Sequence, residues 1–189
     1  AEYGDLNMRA NRKNTAIVAY QEALKLSPDD ETYNYKLAKV LLEERHFQDA
    51  LAHLDHIQGD LTASPAYWVM RGGALIGMEA ISDAESAYKH AVTVGPTNER
   101  AWAYSALALF YMQQARPTDA LSAQRAAVEL EPDYAWWRIH LGVLCRQLEQ
   151  QQCAEAELNA ALELAADSSS RAQANLELGR LEAARGAFS

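Results

Sequence analysis

The sequence predicts an all-α protein built from stacked helix pairs, and three observations carry that prediction. Apolar residues recur at helical spacing, the same pattern returns along nearly the whole chain, and prolines beside acidic residues punctuate it. The clearest copy is residues 101–134, AWAYSALALFYMQQARPTDALSAQRAAVELEPDY. Within it Tyr104, Leu107, Ala108 and Tyr111 fall at i, i+3, i+4 and i+7 and share one face of a helix. Beyond the Pro117-Thr118-Asp119 break, Ala120, Gln124, Ala127 and Val128 form the inward stripe of a second helix. Small Ala108 and Ala120 sit where the two backbones approach closely. Pro132 closes the unit, because the residue before a proline is pushed out of the helical region.

The other segments are approximate copies of this one. The chain opens with part of a copy, residues 1–30, marked by Tyr3-Gly4, Asn7, Ala16, Tyr20, Ala23 and Pro28. Residues 31–64 repeat the pattern with Asn34, Leu37-Ala38, Leu41, Ala50, Leu54, Ile57 and Thr62. Residues 65–98 do so with Trp68, Arg71-Gly72, Leu75, Ala84, Tyr88, Ala91 and Pro96. Glu99 and Arg100 read as a two-residue insertion before the central copy. Residues 135–168 give Arg138, Leu141-Gly142, Cys145, Ala154, Leu158, Ala161 and Ala166. An insertion near Ser168-Ser169-Ser170 precedes a last partial copy, 172–189, with Asn175, Leu178-Gly179, Gly186 and Phe188.

In phase, these positions resemble the tetratricopeptide repeat family, whose pattern is W-x2-L-G-x2-Y, then A-x3-F, then P, over about 34 residues. Five alanines (Ala16, Ala50, Ala84, Ala120, Ala154) keep step, and the resemblance covers practically the whole chain. Arg71 stands in place of the usual leucine, Gln124 of the aromatic and Cys145 of the tyrosine, which bears on the packing of single repeats. The resemblance implies a right-handed superhelical solenoid of roughly eleven antiparallel helices with mostly local contacts. It also implies one array over residues 1–189. Both ends fall in mid-repeat, so the expectation is a piece of a longer array. Open seams around Tyr20, Leu24, Leu178 and Leu181 are expected to favour self-association.

Boundary residues agree with this phase. Ser27-Pro28-Asp29-Asp30 and Glu131-Pro132-Asp133 place prolines beside acidic groups suited to a helix N-terminus. Leu148 to Gln152 is a turn by position alone.

With 49% apolar and 23% charged residues the chain has enough apolar surface to fold. Seventeen basic against 26 acidic residues give a formal charge of −9, so the chain gains nothing from counterion release and nucleic acid is not an expected partner. No apolar run reaches the ~18 residues of a membrane span, so membrane insertion is not expected. A soluble chain, cytoplasmic or periplasmic, fits. Cys145 and Cys153 are too few for a disulfide framework or a structural zinc site. A disulfide across the turn and two packed small side chains both remain open, the second being the plainer reading.

Catalytic patterns are absent: no G-x-S-x-G, no glycine-rich phosphate loop and no H-E-x-x-H. Neither an enzyme nor a cofactor is expected. His53 and His56, three apart, read as solvent-facing histidines rather than metal ligands. Glu43-Glu44 reads as a solvated turn.

What remains is a surface. At about 100° per residue, a second stripe on each first helix lies well round from the packing seam. In the family resembled, that stripe lines a concave groove for partners. Carried over, it presents Tyr35 and Lys39, then Val69, then Trp102, Leu109 and Met112, then Trp136, Ile139, Val143 and Arg146. A clamp for a C-terminal carboxylate is not expected, since Lys36 and Lys39 lack the accompanying asparagines and the later basic pair. Trp102 and Trp136 are either groove anchors or filler between repeats. The resulting expectation is non-catalytic binding of a protein or peptide segment. The alternative is an envelope, secretion or exopolysaccharide-export assembly role, in which spaced aromatics meet sugar faces.

Overall fold

The computed structural model describes residues 13–186. Tyr3-Gly4, Asn7 and Phe188 of the repeat pattern therefore lie outside the described residues. The described chain forms ten α-helices and one short 3-10 helix, and no strand occurs among the described residues. It packs as two compact units that divide between Gly95 and Pro96.

The first unit contains α1 (Lys13–Leu26), α2 (Glu31–Glu43), α3 (Phe47–Asp55), η1 (Asp60–Ala63), α4 (Pro65–Gly77) and α5 (Ile81–Ala91). Helix α1 buries Ala16, Tyr20 and Leu24, one residue per turn on one face. They join Leu37, Ala38, Ala50 and Leu54 in a single apolar core. Asp30 caps α2 by accepting from Tyr33 N at 3.0 Å, as the Pro-Asp-Asp run predicts. Buried Asn34 spends its amide on the carbonyls of Pro28 and Asp30, both at 3.0 Å, and its Oδ1 meets His53 Nδ1 at 2.8 Å. His53 is thus a half-buried tie between α2 and α3, not a solvent-facing residue; the buried amide left it an acceptor that water does not reach. Glu43 and Glu44 likewise do more than face solvent, since Lys13 bridges them at 3.2 Å each.

Close approaches follow the repeat phase. A Cβ on Gly72 would lie 2.7 Å from the Tyr88 ring, and one on Gly77 would run into Phe47. Arg71, the departure from leucine, reaches the Asp55 carboxylate.

The second unit contains α6 (Thr97–Gln113), α7 (Pro117–Leu130), α8 (Ala135–Gln147), α9 (Gln151–Leu164) and α10 (Ser168–Gly186). Both insertions read from the sequence are helical: Glu99-Arg100 lengthen the start of α6, and Ser168-Ser169-Ser170 open α10. The Asp167 carboxylate caps that start, accepting from Ser170 N at 2.8 Å and Ser170 Oγ at 2.6 Å. These bonds hold its pKa below the ordinary carboxylate value. Asp133 does not cap α8. The N-cap position belongs to Tyr134, without a side-chain bond, and Glu131 instead accepts from the indole of Trp137 at 2.7 Å. Gln124, standing for an aromatic, is buried and donates to the Trp137 carbonyl at 3.0 Å.

Among the described residues four turns join first to second helices, and all four are built alike. Arg45, Glu79, Ala115 and Glu149 each have φ between 54° and 64°. The following residue donates back to the carbonyl five positions earlier: His46 to Leu41, Ala80 to Leu75, Arg116 to Tyr111 and Gln150 to Cys145. This is the Schellman closure, which satisfies the last carbonyls of a helix and normally uses glycine. The Leu148–Gln152 turn is real but shorter than expected, because α9 begins at Gln151. Across it Cys145 and Cys153 are joined as a disulfide, with Cα atoms 5.8 Å apart. Of the two readings open from the sequence, the plainer one is the one that fails. The facing positions of α8 and α9 bring the two sulfurs together.

Candidate functional site

The second unit holds an apolar cavity of about 640 Å³, within the range of ligand sites. Its walls come mainly from three successive first helices, α6, α8 and α10, with Gln124 of α7 added. Helix α6 supplies Trp102, Leu109 and Met112; α8 supplies Trp136, Ile139, His140 and Val143; α10 supplies Gln173 and Glu177. The spacing along α6 and α8 is the second stripe of each helix, so six of the ten expected groove residues meet in one place.

They do not play one role. Trp102 is 41% and Leu109 61% exposed, which is unusual for side chains of that size. Trp136 and Val143 are half-buried and pack on the cluster of Ile139, Ala161 and Ala174. Ile139 is only 1% exposed and belongs to the core, where it forms the cavity floor. Trp137, one residue beyond Trp136, is the tryptophan that fills the space between helices. It clusters with Ala101 and Ala127, and sequence spacing alone did not separate it from its neighbour's role.

The polar lining is sparse. His140 Nδ1 lies 3.2 Å from Ser105 Oγ, and its ring stands edge-on to Trp136 and Trp137 at 6.2 and 5.9 Å. Desolvation lowers its pKa from the ordinary 6.5, although the side chain still touches solvent. Glu177 is buried, and Arg146 grips it through Nε at 3.2 Å and Nη2 at 3.1 Å. Arg146 is therefore engaged with Glu177 and is not a lone cation in the groove.

Tyr35, Lys39 and Val69 belong to the first unit and do not line this cavity. Tyr35 packs against the core, Val69 is half-buried and Lys39 is exposed. Among the described residues no group of three or more His, Cys, Asp or Glu side chains is placed to hold a metal. No described helix is long and apolar enough to cross a membrane.

Comparison with known families gives two matches. A TPR repeat model matches residues 4–44, and a tetratricopeptide repeat model matches 103–134. The second falls on the copy that gives the clearest sequence pattern. Two stretches of the chain are thus tetratricopeptide repeats. The mouse tetratricopeptide repeat protein 21B is 27% identical over 139 residues, 68% of this chain. The chain spans about a tenth of that relative's length. Among solved structures, PilF of Pseudomonas aeruginosa superposes with a TM-score of 0.70 at 16% identity, covering 95% of this chain and 89% of that one. YrrB, described as a TPR protein with an unusual peptide-binding site, gives 0.59 at 20% identity, with 91% and 88% covered. At these identities the likenesses show the fold, an all-α helical-repeat solenoid. That fold supports a protein–protein interaction scaffold.

Proposed function

We propose that this chain is a non-catalytic scaffold that holds an apolar protein segment in the cavity walled by α6, α8 and α10. One observation carries the reading: Trp102 and Leu109 stand exposed at the rim of an otherwise apolar cavity in a helical-repeat protein. Exposed tryptophan beside leucine and methionine is a poor arrangement in water and a good one under a partner's side chains. Trp102, Leu109, Met112, Trp136 and Val143 are the contact residues, Ile139 supports them from beneath, and Arg146 fixes the polar end. Tyr35, Lys39 and Val69 offer the corresponding stripe in the first unit. YrrB's peptide-binding site is in keeping with a peptide ligand on such a surface.

The test is a fluorescence titration with peptides recovered by display on the full chain, run beside soluble oligosaccharides. Trp102→Ala combined with Trp136→Ala should weaken peptide binding by roughly thirtyfold or more, since tryptophan anchors often contribute 2 kcal/mol or more. Binding of oligosaccharides alone, or peptide binding indifferent to both tryptophans, would overturn the proposal.

A further inference from the structure

The charged end of the cavity narrows the partner's chemistry, and this step rests on the groove reading above. Glu177 is the sole charged side chain among the described lining residues, and it is 2% exposed. Its Oε2 accepts from Arg146 Nε and Nη2, and its Oε1 accepts from Gln173 Nε2 at 3.2 Å and from Arg180 Nη1. Both carboxylate oxygens are therefore occupied. Two guanidinium groups share one carboxylate, which leaves one positive charge over.

That surplus decides against a basic ligand group at this end. A lysine or arginine arriving there meets net positive charge and an acceptor already engaged. A carboxylate meets guanidinium N–H groups whose fork geometry suits it. The overall charge of −9 does not reverse this, because exposed charges farther than about 8–10 Å are largely screened at physiological salt. Arg180 does not line the cavity itself, but its side chain is 54% exposed beside Glu177, which does, so a ligand carboxylate can reach it.

We propose that the groove's occupant is a protein segment with an apolar face and one Asp or Glu side chain placed against the Arg146–Glu177–Arg180 cluster. The apolar face covers Trp102 and Leu109 at one end. The acidic side chain completes the charge balance at the other and fixes the direction in which the segment lies.

The probe is a random dodecapeptide library displayed on the full chain, once with both peptide ends blocked and once with a free C-terminus. Selected blocked peptides should carry one acidic residue at a set distance from an apolar pair. Changing it to Gln or Asn should weaken wild-type binding roughly tenfold, but by less than about twofold in Arg180→Gln, with Arg180→Lys restoring most of the preference. Arg180→Gln leaves Arg146 on Glu177, and an unchanged melting curve checks that the fold is kept. Selection of neutral or basic residues at that place overturns the inference, as do equal losses in wild type and variant, or binders from the free-end library alone. In those cases peptides still lost by Trp102→Ala with Trp136→Ala leave the groove itself standing. No tryptophan-dependent peptide from either library sinks both.

Discussion

Gly142 and Leu158 are in direct contact across α8 and α9: a Cβ built on the glycine would lie 2.7 Å from Leu158 Cγ and 3.3 Å from the Ala154 carbonyl. Leu158 is fully buried and has nowhere to move. Gly142→Leu should therefore destabilise the chain by about 1–3 kcal/mol, the usual cost of overpacking. Gln150→Leu, at an exposed turn position, should be nearly neutral. Gly179 matches Gly142 in the repeat pattern, yet a Cβ there meets nothing within 4 Å. Gly179→Ala should thus stabilise by up to about 1 kcal/mol through helix propensity. Thermal melts of the three variants check the order, and equal shifts would mean that the repeat phase is wrong.

Ala115 has φ of 54° with only a methyl side chain. The left-handed region costs an L-residue roughly 1–2 kcal/mol, partly offset in glycine by its greater freedom when unfolded. Ala115→Gly should therefore stabilise by about 0.5–1 kcal/mol. Denaturant titration should show a higher midpoint at constant slope. A lower midpoint would mean that the turn does not close as described.

The neighbouring tryptophans should separate by kind of loss. Trp137 is buried with its indole bonded to Glu131, so Trp137→Ala should cost about 3–5 kcal/mol of stability. Trp102→Ala should cost little stability and much binding. Melting curves and a peptide titration on the same samples report both quantities, and a comparable stability loss at Trp102 would remove it from the groove.

Stability should fall on mild acidification. Desolvation lowers the pKa of His53 and of His140 from 6.5; neighbouring His56 lowers that of His53 further, against a smaller opposing effect of Asp49. With folded values below the unfolded one, the unfolded chain binds protons first as pH drops. The contribution is fully present above about 6.5 and is lost as pH falls through that value towards the folded ones. Melts across pH 7.5 to 5 should show this decline, and His53→Asn with His140→Asn should flatten it. An unchanged slope in the double variant would place the effect elsewhere.

The sequence foretold most where side-chain size alone decides. Ala16, Ala50, Ala84, Ala120 and Ala154 are all 0% exposed, because each stands where two helix backbones meet and nothing larger fits. The same logic led to Leu37, Leu107 and Leu141. It failed where geometry overrides residue type. The Schellman turns carry Arg, Glu, Ala and Glu instead of glycine, so composition hid them. Trp136 and Trp137 differ by one position, about 100° around the helix; both touch the cavity, but Trp137 is buried in the cluster with Ala101 and Ala127 while Trp136 stays half-buried. Ile139 joins the core because the groove stripe and the seam to α10 overlap on α8. His53 and Glu131 depended on partners 19 and 6 residues away, which no local pattern shows.

The identical turns have a use in protein engineering. Glu44–His46, Met78–Ala80, Gln114–Arg116 and Leu148–Gln150 are all three residues long, whereas the junctions from second to first helices vary, one of them holding η1. Among the described residues, length thus varies at one kind of junction and is constant at the other. A foreign loop, an epitope or a cleavage site grafted between Gln58 and Asp60 would enter a connection that already differs from its counterparts. The same graft between Glu79 and Ala80 would separate Ala80 from the turn whose hydrogen bond to the Leu75 carbonyl it closes.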